Sequence, residues 1–316
     1  MDIHLIAKRA LLDYMAVKNT ETVLIVSDGQ IPEVVGAFLS AARELAKEAI
    51  LVEFTPRSRN GEEPPFAVAA AMAAADVVLI PTSKSLTHTR ARREANRSGT
   101  RIASMPMITA EMMNRTLMVD YVSMVTLTKK YANALSKGNT VHITSPAGTD
   151  LVMKIEGRDG IVDSGEIQQS GASGNLPAGE ACIAPQEGSA QGILVFDASL
   201  AQWGKLDEPV TITVKDGLAT SISGNKAADW LWETVQTCGV PGTNIAELGI
   251  GTNARAVVSG TILEDEKVIG TVHVALGDNK GLGGMTEAGV HLDGLILSPT
   301  VEIDGKVVIK DRILLL

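Results

Sequence analysis

Apolar runs alternate with amphipathic stretches along roughly the first 135 residues. TVLIVSD (22–28), AILVEFT (49–55), DVVLIPT (76–82) and RIASMP (101–106) are short and almost continuously apolar, as strands buried on both faces should be. Between them, residues 3–17, 32–48, an Ala-rich run to about Ala75 and residues 86–98 carry helical periodicity, with Pro32 in a first turn. Strands alternating with helices predict a parallel sheet flanked by helices. Residues 109–137 predict one further helix, closed by Gly138 as a C-cap. From 139 onward the pattern changes to short strands separated by DG, GN and DGK turns, interrupted by one helix over 225–239. The expected organisation is an α/β domain with a parallel sheet over 1–135, followed by a β-rich, barrel-like α+β domain over 136–316.

Composition narrows this picture. The chain has 316 residues, 45% of them hydrophobic and 21% charged, enough to bury a core. A net charge of -9 argues against nucleic acid as a partner, which calls for a basic footprint. Aromatic residues at 3% are too sparse for base stacking. The two cysteines, Cys182 and Cys238, form neither a disulfide framework nor a CxxC, which fits a cytoplasmic setting. The N-terminal stretch is broken by charges, so no signal peptide is expected. No apolar run approaches the ~20 residues of a membrane span.

The candidate chemistry centres on Gly270–Gly294, which holds two of the five histidines. In a strand, residues i and i+2 share a face, so His291 and Asp293 point the same way. His273 lies in an alternating segment upstream, and the glycines of DNKGLGG between the strands permit close backbone approach. Two imidazoles and a carboxylate on two strands suit a three-ligand metal cradle, the alternative being a surface His-X-Asp pair and a satisfied core histidine. Glu180 (in NLPAGEACIAP) and Glu247 (in NIAELGIG) are acidic residues inside otherwise apolar strands, and a buried carboxylate needs a partner, a proton or a metal. The alternative for each is a solvent-facing position on its strand. The end of the third N-terminal strand, PTSKSLTHTR, carries His88 and Arg90, with Ser85 or Thr87 as an expected helix cap and His88 as a potential acid–base group. GIGTNA (249–254) matches G-x-G-x-x-A but no amphipathic helix follows, so it predicts no dinucleotide site.

NLPAGE (175–180), AELGIGTN (246–253), DEKVIGTVHVALG (265–277) and HLDG (291–294) together resemble the aminopeptidase T-like metallo-aminopeptidases. The resemblance implies that Glu180, Glu247, His273, His291 and Asp293 bind two Zn, Co or Mn ions. It implies removal of N-terminal residues from short peptides or aminoacyl-amides by a metal-activated water, with His88 or Glu180 handling the proton. It also implies a homodimer, with Arg90, Asn175 and Lys280 as substrate-binding candidates. Lys280 falls where that family carries a tyrosine. The HVALGDN and HLDG segments equally resemble the 2,5-dihydroxypyridine 5,6-dioxygenase-like proteins. That resemblance implies one Fe(II) on His273, His291 and Asp293, a small-molecule N-heterocycle as substrate and His88 as a base. The hydrolase is the first expectation because both extra glutamates are present, the dioxygenase the alternative, and a metal-binding protein without catalysis a third reading.

Overall fold

The computed structural model describes residues 2–316 and separates the chain into two compact units. One contains residues up to Val125 together with Asp163–Ala178. The other contains Thr126–Val162 together with Gly179–Leu316. The sequence reading places one break after residue 135; the chain instead passes between the units at 125/126, 162/163 and 178/179.

The first unit holds a five-stranded sheet in the order Glu48–Glu53, Thr22–Ser27, Val77–Ile80, Arg101–Ser104, Ser173–Asn175, and every pair is parallel. The central strands are buried because helices Pro32–Leu45, Phe66–Ala74 and Arg90–Arg97 alternate with them. Ser173–Asn175, not expected as a strand, adds a fifth parallel strand by pairing with Ile102–Ser104. The expected 109–137 helix is two, Ala110–Thr116 and Tyr121–Lys137. Gly138 does not adopt the left-handed C-cap conformation. A Cβ there would lie 2.5 Å from Ile303 Cγ2, so glycine is required by close packing instead. The Arg90–Arg97 helix is capped by Thr89, whose hydroxyl accepts from Arg92 N–H, and not by Ser85 or Thr87.

The second unit is built from two antiparallel sheets, and no closed barrel forms among the described residues. The larger runs Leu218–Ser223, Val210–Lys215, Gln191–Phe196, Asp150–Lys154, Thr140–Thr144, Thr300–Ile303, Lys306–Lys310, Ile313–Leu314. The other has Glu180–Ile183, Ile245–Gly251, Val272–Gly277 and His291–Ile296 at its centre, each antiparallel to the next. Both sheets contribute to one core, with Val141, Ile143, Leu151 and Ile212 from the first and Ile183, Leu248, Val274 and Ile296 from the second. Alternation then dictates that the other residues of the four central strands project from the opposite face. Among the described residues no helix is long and apolar enough to cross a membrane.

Candidate metal centre

Cross-strand register gathers the candidate ligands on that opposite face. Glu247 lies beside Ala275, and Ala275 beside Asp293. Cys182 lies beside Gly249, Gly249 beside His273, and Gly277 beside His291. Glu180 lies beside Gly251. Long polar side chains thus alternate with glycine or alanine, which leaves room above the sheet. The small residues are obligatory: a Cβ on Gly249 would sit 2.0 Å from both Cε1 and Nε2 of His273.

The five residues converge. His291 Nε2 lies 2.9 Å from Glu247 Oε2 and 3.4 Å from Asp293 Oδ1. His273 Nε2 lies 3.4 Å from Glu180 Oε2 and 3.7 Å from Glu247 Oε1. All but His291 are at least nine-tenths buried. Three residues outside the five, Lys267, Glu266 and Cys182, join them. Lys267, wholly buried, places its ammonium 2.5 Å from Glu180 Oε1 and 2.8 Å from Glu266 Oε1. Cys182 is buried beside Glu247, and burial with the Glu247 and Glu180 charges keeps it a thiol.

The tautomer of His291 follows from its neighbours. Its Nδ1 is 2.7 Å from the carbonyl oxygen of Asp278, which only accepts, so Nδ1 carries the proton. A neutral ring then aims its Nε2 lone pair at two carboxylates, a contact that requires a proton or a metal between them. The loop that supplies this carbonyl is itself held. Glu187 accepts from Asn279 Nδ2 at 2.9 Å and from Met285 N–H at 2.7 Å, and Arg158 binds both Glu187 and the Gly283 carbonyl.

Four carboxylates, Glu180, Glu247, Glu266 and Asp293, face one ammonium, leaving three uncompensated negative charges while both imidazoles are neutral. In the metal-free chain protons supply part of the balance. Burial disfavours the charged His273 ring, but its hydrogen bond to Glu247 and the surrounding carboxylates raise its pKa to about 9. His291 is raised well above its usual range: burial opposes charging, and Asp293 and Glu247 outweigh it. Glu247, which burial alone would push up, is held well below the usual carboxylate range by hydrogen bonds to both histidines.

This donor set fits a divalent metal. Bonds of ~2.1 Å put adjacent donors ~3.0 Å apart in an octahedron and ~3.4 Å apart in a tetrahedron, close to the contacts seen. His273, Glu247 and Asp293 each offer a donor within 4.8 Å of the others, and so do Glu180, Glu266 and His273. Of the remaining candidates, His88, Arg90 and Asn175 belong to the first unit and Lys280 to the second. His88 and Arg90 are exposed in the first unit, and Arg90 pairs with Glu94 at 3.7 Å. Asn175 ends the fifth strand of the first unit's sheet. Lys280 is exposed in the second unit and forms an ion pair with Glu287.

Residues 5–315 match the family model described as 2,5-dihydroxypyridine 5,6-dioxygenase. The curated enzyme of that name from Pseudomonas putida is 23% identical over 327 residues, covering 95% of this chain and 92% of its own length. The solved 2,5-dihydroxypyridine dioxygenase from P. putida superposes with a TM-score of 0.84 at 21% identity, over 99% of this chain and 96% of that one. Wild-type AmpT from Thermus thermophilus superposes with a TM-score of 0.75 at 15% identity over 99% of both chains, a likeness of fold. The expectation of an aminopeptidase is corrected by the first of these matches. The two glutamates that favoured it do not discriminate, because buried carboxylates support one metal as readily as two. With a family model matched along almost its whole length, the chain belongs to the 2,5-dihydroxypyridine 5,6-dioxygenase family.

Proposed function

We propose that the chain is a mononuclear non-haem iron dioxygenase that opens the ring of a hydroxylated nitrogen heterocycle. The observation that carries the reading is the placement of His273, His291 and Asp293 on one sheet face, with His291 Nε2, its ring held by the Asp278 carbonyl, 2.9 Å from Glu247 and 3.4 Å from Asp293. Two histidines and one carboxylate with open positions are the signature of Fe(II) oxygenases. Family membership supplies the reaction class. Bound there, Fe(II) would supply a redox-active Lewis acid with adjacent coordination positions left open. Overall, both atoms of O2 enter the product and one ring carbon–carbon bond is broken.

The protein contributes position and charge. Asp278 fixes the His291 ring, and Gly249 makes room for the His273 ring. Glu247 lies beside the donor nitrogens of both imidazoles and remains an ionised carboxylate, so it offers an acceptor for a substrate hydroxyl proton. The apolar back of the sheet keeps this face rigid. Loading the chain anaerobically with Fe(II) and measuring oxygen uptake tests the reading. One iron per chain and mole-for-mole consumption of O2 with 2,5-dihydroxypyridine are expected, with iron lost in His291→Ala. An iron-loaded chain that consumes no oxygen across a panel of mono- and dihydroxylated pyridines sinks it.

A further inference from the structure

Two donor groups share His273. One comprises Glu247, His273 and Asp293, the other Glu180, Glu266 and His273. Such a pair of groups invites a dinuclear description. Lys267 stands against it. Its ammonium lies 2.5 Å from Glu180 Oε1 and 2.8 Å from Glu266 Oε1, so it already binds both carboxylates of the second group. We propose that Lys267 is a built-in monocation that takes the place of a second divalent ion, so that the constellation holds a single metal. This rests on the metal-binding half of the reading above and not on its ring-opening half.

The position of Lys267 is constructed, not incidental. Its backbone N–H donates to the Glu264 carbonyl at 3.0 Å, and its carbonyl accepts from Asn253 N–H at 2.9 Å. Gly251, the cross-strand neighbour of Glu180, lets this segment lie against the sheet. A Cβ on Gly251 would meet the Val268 carbonyl oxygen at 2.0 Å and the Lys267 carbonyl carbon at 2.9 Å. The side chain is wholly buried. A buried ammonium is costly to leave unpaired, and here two carboxylates satisfy it. A divalent ion bonded to the same oxygens at ~2.1 Å would sit within contact distance of the ammonium and repel it. Charge points the same way. The four carboxylates, Lys267 and one divalent ion leave a single negative charge, whereas a second ion would make the buried cluster positive. His273 adds a geometric limit: its Nε2 faces both groups, and one nitrogen cannot serve two ions.

The test counts metal without turnover. Metal-free chain is incubated with excess Mn2+ or Zn2+, desalted and analysed for metal per chain, with Mn2+ resonance spectra recorded for spin coupling. Wild type and Lys267→Arg are expected to hold one ion and show no coupled signal. Lys267→Met removes the charge at similar volume and is expected to hold two. Two ions in wild type, or one in a folded Lys267→Met chain, overturns the assignment. If Lys267→Met does not fold, Glu266→Gln decides, because Glu266 then serves the lysine and not the metal. It is expected to keep one ion with affinity weakened by no more than about 10–100-fold, the scale of indirect ligand effects. Loss of that ion overturns the proposal. One ion with no oxygen uptake would leave Lys267 standing and sink the dioxygenase, while two ions with oxygen uptake would overturn the Lys267 assignment and the mononuclear count but leave the ring-opening reading.

Discussion

At the scale of single residues, His273 depends on a neighbour with no side chain. Its ring occupies the space where a Cβ on Gly249 would be. Gly249→Ala must therefore displace the imidazole or part the strands. A cost of about 1–3 kcal/mol is expected for such overpacking, together with metal content well below that of wild type. An alanine variant that melts like wild type and keeps its metal would refute this. Proton linkage gives a second expectation. His273 is raised from 6.5 to about 9, so its contribution to the metal-free fold is fully present below pH 6.5 and is lost as pH rises through about 9. The thermal midpoint in chelator should fall over that interval. Metal affinity should rise over it instead, because the ion needs the neutral ring. Flat midpoints in chelator would contradict the account. Glu180, Glu247, His273, His291 and Asp293 were legible in the sequence because each interrupts an apolar alternation. Glu266 and Lys267 were not. A DEK tripeptide reads as a surface turn, lysine being rarely buried, and the Gly251 contact that draws it inward is distant in sequence.

At the scale of elements, the site is a consequence of register. Glu247, Ala275 and Asp293 lie side by side on three strands, so Ala275 sets the space between the two carboxylates. Ala275→Leu should drive them apart and empty the site while the apolar back of the sheet keeps the fold. Metal analysis and far-ultraviolet dichroism check this together, and a variant that retains full metal would show that the spacing is set elsewhere. The parallel strands and their helices were legible because buried strands are continuously apolar. Ser173–Asn175 was not: three small polar residues carry no strand signal, and only the exposed edge of Arg101–Ser104 makes them one. Whether the strands close into a barrel was not legible for a related reason. Inward-facing alternation is the same in a closed barrel and in two sheets sharing a core, and sequence holds no sign of closure.

For the molecule as a whole, the fold does not choose the reaction. This chain superposes over 99% of its length both on a dihydroxypyridine dioxygenase and on AmpT, so the argument for chemistry comes from the family match and the site, not from the fold. All five ligand-type residues, with Glu266 and Lys267, belong to the second unit. Binding energy from the metal therefore enters through that unit. A ligand at a hundredfold excess over its Kd stabilises the state that binds it by about 2.7 kcal/mol. Amide exchange of the full chain, with and without metal, should show that gain in Glu180–Ile183, Ile245–Gly251, Val272–Gly277 and His291–Ile296. Thr22–Ser27 and Val77–Ile80, in the other unit, should exchange at unchanged rates if the units open independently. Equal protection of both groups of strands would mean that the two units open as one, and that a metal held by one sheet stabilises a single cooperative structure.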